Sequence, residues 1–146
     1  QVSQMLEAKG IDAIEMSGGT RNSGERIPSR IGIPKSEEEE VYYREAAAQF
    51  KKLVKVPLIL VGGIRSLGVA EGLVENGLAD YIALSRPLIR EPHLVRRWQS
   101  GDLSKATCIS CNQCYRPILR GDGISCEVEN RIKAGEKKNS PADEDS

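Results

Sequence analysis

Three short apolar runs, separated by longer amphipathic segments, constrain the fold of this chain most. The runs are residues 11–16, 58–61 and 81–84. Each run has the length of a strand, and the segments between them carry apolar residues at the three- and four-residue spacing of a helix. Strands that alternate with helices are typical of βα units, in which each helix crosses over between parallel strands. The sequence therefore predicts an α/β fold with a parallel sheet.

Capping residues indicate where the helices between these strands begin. Ser36 can cap one helix, and Glu39, three residues further on, would complete a capping box. The four glutamates at 37–40 then lie at the solvated, positive end of that helix. Ser66 can cap a later helix over residues 67–76, directly after the second strand. Both crossovers of the predicted sheet are therefore helical.

Charge and composition exclude several classes of protein. The 146 residues include 21 Lys and Arg and 21 Asp and Glu, and the formal net charge of zero removes the electrostatic basis of nucleic-acid binding. A hydrophobic content of 39% is enough for a folded core, while no apolar run approaches the ~20 residues that span a bilayer. The chain begins with Gln1 and shows no signal-peptide pattern. We interpret it as a fragment and expect a cytoplasmic location.

Glycine and arginine follow the second and third strands, at the edge where parallel α/β folds bind ligands. Gly62 and Gly63 would allow backbone N–H groups at a helix start to approach an anion closely. Arg65, Ser85 and Arg86 add two guanidinium groups and a hydroxyl. Taken alone, a Gly-Gly pair is more often a tight turn, and such an arginine more often pairs with a carboxylate. Together, these residues predict a barrel-type phosphate site.

Three stretches, residues 10–19, 57–65 and 79–92, resemble the C-terminal part of the old yellow enzyme family of NADH:flavin oxidoreductases. Their order and spacing match strands six, seven and eight of that family's FMN-binding (β/α)8 barrel. The resemblance implies an α/β fold that is the C-terminal portion of a TIM barrel, with FMN as cofactor. The cofactor-binding residues that it implies are Gly62, Gly63, Arg65, Ser85 and Arg86. Ser85 stands where the family more often has glycine.

The resemblance also implies what the chain lacks. A complete barrel needs about 250 residues, and this chain supplies three of its eight strands. The family's substrate-orienting residues and its proton-donating tyrosine belong to earlier strands, so we assign no catalytic residue. We expect the single histidine, His93, at the surface. The implied reaction is hydride transfer from NAD(P)H through FMN to an activated alkene or similar acceptor, which the isolated chain is not expected to complete.

Four cysteines, Cys108, Cys111, Cys114 and Cys126, lie within nineteen residues. Four thiolates so spaced can hold a tetrahedral zinc ion or an iron–sulfur cluster, and reduced cysteines without metal are the alternative. A subset of the family, similar to 2,4-dienoyl-CoA reductase, carries a [4Fe–4S] cluster at the spacing C-x2-C-x3-C-x11-C. Here the middle gap is one residue shorter. The resemblance favours iron–sulfur over zinc at these cysteines.

The sequence thus predicts three regions: a partial barrel with the FMN phosphate loops at 1–100, a cysteine-rich extension at 101–131 and a disordered tail at 132–146. A competing interpretation is a non-catalytic half-barrel, a binding or assembly module with a structural metal at the cysteines. A partial parallel sheet has open edges, so we expect a homo-oligomer or pairing with a missing N-terminal part. The parent enzyme's partners would be a nicotinamide cofactor and a small-molecule acceptor, without nucleic acid or membrane.

Overall fold

The computed structural model of the chain describes residues 1–20, 22–24 and 29–139. Within these residues, three parallel strands form one sheet in the order in which they occur in the chain. The strands are β1 (Ile14–Met16), β2 (Leu58–Val61) and β3 (Tyr81–Ala83). Leu60 in the central strand lies opposite Met16 on one side and Ile82 on the other. The prediction of an α/β fold with a parallel sheet is confirmed.

Helices connect the strands and continue after the last of them. Those of the described residues are α1 (Val2–Glu7), α2 (Arg44–Leu53), α3 (Leu67–Glu75), α4 (Arg86–Arg90), α5 (Leu94–Gln99), α6 (Arg116–Leu119) and α7 (Glu127–Asn139). A 3-10 turn over Gln113–Tyr115 precedes α6. None of these helices combines the length and the apolar character that a membrane crossing requires.

The main core lies between the sheet and helices α2 and α3. Leu58 and Leu60 of β2 are fully buried and pack with Phe50 of α2 and Leu73 of α3. The residues that alternate with them, at 59 and 61, are only half-buried. A continuous apolar run predicted burial on both faces of this strand. In the structure, one face of β2 is fully buried and the other face is partly buried.

Helix α2 begins at Arg44, later than the start predicted after Ser36. The Ser36 hydroxyl accepts a hydrogen bond from the backbone N–H of Glu39 at 3.4 Å, but the Glu39 carboxylate accepts from Lys35 instead of completing a capping box. The chain then turns toward the end of β2, where the backbone N–H of Tyr42 donates to the Gly62 carbonyl oxygen at 3.1 Å. Tertiary hydrogen bonds therefore displace the helix start that local sequence favours.

Helix α7 occupies the beginning of the region predicted as a disordered tail. It continues to Asn139, and an ion pair of 3.5 Å between Lys133 and Glu129, one turn apart, supports it. The rest of the predicted tail, residues 140–146, lies outside the described residues, as does part of the loop after β1.

Candidate functional site

A cavity of about 240 Å³ opens where the C-terminal ends of β2 and β3 meet, and we call it the strand-end cavity. All five residues predicted to bind the cofactor line it: Gly62, Gly63, Arg65, Ser85 and Arg86. Ser17 after β1, Ser29 from the following loop and Tyr115 also contribute to the lining. Because the strands are parallel and adjacent, their ends place residues from distant parts of the sequence around one space.

Gly62 and Gly63 have φ angles of +119° and +87°, which favour glycine. A Cβ atom on Gly63 would lie 2.5 Å from the carbonyl oxygen of Glu40, and one on Gly62 would lie 2.9 Å from the Tyr43 ring. Both positions therefore need glycine because residues 40–43 pack directly against the end of β2. The sequence predicted that these two glycines allow a bound anion to approach closely. In the structure, the chain's own residues 40–43 also approach them closely.

Glu40 lies at the N-terminal end of α3. Its Oε2 accepts hydrogen bonds from the backbone N–H groups of Arg65 and Ser66, both at 2.9 Å, and its Oε1 accepts from the Ser66 hydroxyl at 2.7 Å. A carboxylate is stabilised here because the first N–H groups of a helix lack intrahelical partners. The prediction of a solvated glutamate run is wrong for Glu40, which is only 1% exposed.

The charge of Glu40 is balanced locally. Burial would raise the pKa of this carboxyl, but hydrogen bonds from Lys105, from the Ser66 hydroxyl and from the two backbone N–H groups outweigh it. The pKa of Glu40 therefore lies below its ordinary value of 4.5. Lys105 Nζ lies 2.8 Å from Oε1 and belongs to the segment that leads to the cysteines. Glu40 thus connects that segment to the end of β2.

Arg65 presents a buried positive charge to the strand-end cavity. The residue is 3% exposed, and burial lowers the pKa of its guanidinium. Nη1 donates to the Ile64 carbonyl oxygen at 2.8 Å and Nη2 to the Ser110 hydroxyl at 2.6 Å. Nε is buried and has no hydrogen-bond partner among the described residues. A buried cation that lines a cavity is suited to bind an anion there.

Arg86 is 7% exposed and lines the strand-end cavity from the end of β3. Its Nη1 donates to the carbonyl oxygen of Arg30 at 2.8 Å and to the Asn112 side-chain oxygen at 2.6 Å. Neither contact is with a carboxylate, so the simple ion-pair explanation does not hold for this arginine. Its guanidinium carries a positive charge that neutral oxygen atoms orient.

All four predicted metal ligands, Cys108, Cys111, Cys114 and Cys126, line a second cavity, which we call the thiol cavity. Arg86 and Arg90 line it as well, so Arg86 is common to both cavities. The cysteines are free thiols. Within the described residues, no three Cys, His, Asp or Glu side chains are placed so that they could hold a single metal ion. The four cysteines therefore line one cavity without converging on a single metal position.

Two observations characterise the thiols. Burial raises the pKa of the Cys114 thiol, which Cys108 raises further and Arg86 opposes. Arg90 Nη1 lies 3.8 Å from Cys126 Sγ and 2.7 Å from Glu129. A metal that binds here must displace the protons of the thiols. The donor set is chemically suited to a thiolate-bound group.

Several residues that line the two cavities, or that hydrogen bond to their lining residues, were not predicted from the sequence. Glu40 is the last of four identical residues, and only the apolar residues that follow it could have suggested burial. Nothing in the sequence indicated a role for Ser110, Asn112 or Arg90 at these cavities. His93 is exposed before α5 and lines neither cavity, in agreement with its expected surface position.

Comparison with profiles of protein families identifies the family of this chain. The profile of the NADH:flavin oxidoreductase / NADH oxidase family matches residues 5–104. This range includes β1, β2 and β3 and the C-terminal ends of β2 and β3, where the strand-end cavity opens. The chain belongs to this family of FMN-dependent oxidoreductases, as the sequence resemblance predicted.

Individual relatives agree with this. The 4,4'-dithiodibutanoate disulfide reductase of Rhodococcus erythropolis is 28% identical, over 82% of this chain and 36% of its own length. The NADH oxidase of Thermoanaerobacter brockii is 33% identical, over 77% of this chain and 17% of its own length. The bilirubin reductase of Mediterraneibacter gnavus is 29% identical, over 99% and 22% respectively. The chain spans between 17% and 36% of the lengths of these relatives.

A solved structure supports the fold. A 2-naphthoyl-CoA reductase, determined in complex with 2-naphthoyl-CoA, superposes with a TM-score of 0.66 at 24% identity. The superposition covers 94% of this chain and 20% of the reductase. This likeness is consistent with a partial (β/α)8 barrel.

The buried carboxylate of Glu40 gives a testable prediction. Glu40→Gln should lower the free energy of unfolding at pH 7 by about 1.5–3 kcal/mol, the range for hydrogen bonds to a charged group. Because the folded-state pKa lies below 4.5, this stabilisation is present above that pH and is lost as the pH falls through the folded-state pKa. Urea denaturation at pH 7 and at pH 3 measures the difference between the two proteins.

The exposed Glu37 provides the matched control, since Glu37→Gln removes the same charge without a buried contact. This variant should unfold as the wild type does at both pH values. A Glu40→Gln variant as stable as wild type at pH 7 would contradict the account of Glu40.

Proposed function

We propose that the chain forms strands six to eight of the FMN-binding barrel of an NAD(P)H:flavin oxidoreductase of the ene-reductase type, and that the strand-end cavity holds the FMN phosphate. One observation carries this proposal: the five residues predicted to bind the cofactor converge on one cavity, which Arg65 lines with a buried positive charge. A phosphate group in the cavity would balance this charge.

The residues of this chain would bind and orient the cofactor. When bound, FMN supplies hydride transfer between a reduced nicotinamide and an acceptor such as an activated alkene. Arg65 and Arg86 would fix the phosphate end, and the hydroxyl of Ser85 would add a neutral donor. The substrate-orienting residues and the proton donor would come from strands outside this chain. On this proposal, the chain alone holds part of the cofactor and does not complete the reaction.

We further propose that the four cysteines bind a metal–sulfur group. Zinc–sulfur bonds of about 2.3 Å would bring the four sulfur atoms of a zinc site within roughly 4 Å of one another. Thiols that line a shared cavity without converging on one ion fit a multi-atom iron–sulfur cluster better. The short gap between Cys111 and Cys114 is bridged by the left-handed residue Asn112 and a 3-10 turn.

A second candidate function, a non-catalytic half-barrel that acts as an assembly module, is supported by the sheet edges. Within the described residues, β1 and β3 each have one partner strand. Tyr81 on β3 is 61% exposed, and Val2 and Met5 of α1 are about 70% exposed. Edge strands with exposed apolar neighbours favour association with another chain. The two candidates differ in whether the strand-end cavity binds FMN.

Arginine variants test the phosphate site. Arg65→Ala and Arg86→Ala should each weaken FMN binding by about 1–3 kcal/mol, because each removes a charge-assisted hydrogen bond. Quenching of flavin fluorescence on titration measures the affinity. Arg65→Lys keeps the charge and should lose less, which separates loss of the anion contact from loss of packing.

Exposed Arg96 provides the control, and Arg96→Ala should bind FMN as the wild type does. Unchanged affinity in both Arg65→Ala and Arg86→Ala would contradict the phosphate assignment.

Anaerobic reconstitution with iron and sulfide tests the cysteines. The wild-type chain should develop the broad visible absorption of an iron–sulfur cluster, and Cys114→Ser should lose most of it because one ligand is missing. Ser125→Ala, which changes a hydroxyl beside Cys126 and no thiol, should behave as wild type. Uptake of neither iron nor zinc by the wild-type chain would overturn the metal proposal.

Sedimentation tests the open edges. Because the outer edges of β1 and β3 are unpaired within the described residues, the chain alone should self-associate as its concentration rises. Sedimentation velocity over a hundredfold concentration range measures this. A single monomeric species at every concentration would contradict the prediction.

A further inference from the structure

The strand-end cavity and the thiol cavity are joined by one short stretch of chain, residues 105–114, which we call the cysteine loop. Its first residues anchor at the end of β2: Lys105 pairs with Glu40, and the backbone N–H of Ala106 donates to the Arg65 carbonyl oxygen at 2.8 Å. Its later residues hold Cys108, Cys111 and Cys114. The same loop thus contacts the proposed phosphate site and carries three of the proposed metal ligands.

Two residues of the cysteine loop hold the two arginines of the strand-end cavity. Ser110, between Cys108 and Cys111, is completely buried, and its hydroxyl accepts a hydrogen bond from Arg65 Nη2 at 2.6 Å. Asn112, directly after Cys111, accepts from Arg86 Nη1 at 2.6 Å. Each guanidinium is therefore oriented by a residue adjacent to Cys111.

Asn112 makes a second contact with a residue of the strand-end cavity. Its Nδ2 donates to the carbonyl oxygen of Ser29 at 2.6 Å, and Ser29 lines that cavity. Arg86 also donates to the carbonyl oxygen of Arg30, the next residue. One amide side chain thus joins the cysteine loop, the end of β3 and the loop that follows β1.

Ser110 and Asn112 have φ angles of +55° and +58°, and among the described residues no other non-glycine residue has a positive φ. This conformation is costly for serine and tolerated by asparagine. It persists where surrounding contacts determine the backbone closely. The backbone beside Cys111 therefore sets the positions of both the thiol and the acceptors that hold the arginines.

We infer that Ser110 and Asn112 are positioning residues that couple the metal-binding state of the four cysteines to the anion affinity of the strand-end cavity. The inference rests on the proposed FMN and metal sites. Metal binding fixes the backbone of the cysteine loop, and a fixed loop holds the Arg65 and Arg86 guanidiniums in the orientation that receives phosphate. Such coupling is reciprocal, so bound FMN strengthens metal retention by the same factor.

The test compares FMN affinity of the metal-free chain with that of the chain reconstituted anaerobically with iron and sulfide. Flavin fluorescence gives both dissociation constants, and their ratio measures the coupling. The wild-type ratio should favour the loaded form by about 5- to 150-fold, the usual range for coupled sites. A change that merely destabilises the chain does not lower this ratio, because metal binding to the folded state raises the folded fraction of the loaded form.

Variants at Asn112 identify the residue responsible. Asn112→Gly tolerates the positive φ and removes the side chain, so the ratio should fall toward one. Asn76→Gly makes the same change at the end of α3, where the Asn76 side chain donates a hydrogen bond to Gly72 of its own helix, and should leave the ratio at the wild-type value. Ser110→Gly should also lower the ratio, and it serves if Asn112→Gly fails to fold.

A reciprocal readout does not depend on flavin fluorescence. Bound FMN should slow the removal of iron by a chelator in the wild type and should not slow it in Asn112→Gly. If the chain binds no FMN or takes up no iron, the proposed function fails and this inference fails with it. If both bind and the ratio is one, or if Asn112→Gly and Ser110→Gly keep the wild-type ratio, the inference alone is overturned.

Discussion

The carboxylate of Glu40 lies at the N-terminal end of α3 and receives two backbone N–H groups and the Ser66 hydroxyl. This buried anion holds residues 40–43 against the end of β2, where only glycine fits at positions 62 and 63. The same carboxylate pairs with Lys105 and so fixes the start of the cysteine loop. The position of the loop that carries the thiols therefore depends on a contact made at the end of β2.

Two positively charged side chains line the strand-end cavity. Arg65 and Arg86 are both nearly buried beside the strand-end cavity, and each hydrogen bonds to neutral oxygens rather than to a carboxylate. Buried cations without a paired anion are costly. A dianionic phosphate in the cavity would supply the missing negative charge, which is why the proposed cofactor site accounts for an arrangement that packing alone does not.

The sequence could predict the order of the strands and the convergence of the five cavity residues, because parallel strands place their C-terminal ends at one edge. The start of α2 could not be predicted, since its local capping signal at Ser36 is overruled by contacts with residues distant in the sequence. The roles of Ser110 and Asn112 could not be predicted for a similar reason: their contacts are with Arg65 and Arg86, which are distant in the sequence. Local sequence patterns thus predict which secondary structure each segment can form. Tertiary contacts determine where a helix begins and which side chains hydrogen bond to one another.

The central claim, that the strand-end cavity recognises the phosphate of FMN, is tested most directly by comparing FMN with riboflavin, which lacks only the phosphate. Equilibrium titration of the full chain by flavin fluorescence measures both affinities under the same conditions. The account predicts that FMN binds at least about tenfold more tightly, since the difference comprises at least one charge-assisted hydrogen bond. Equal affinity for the two flavins would contradict it.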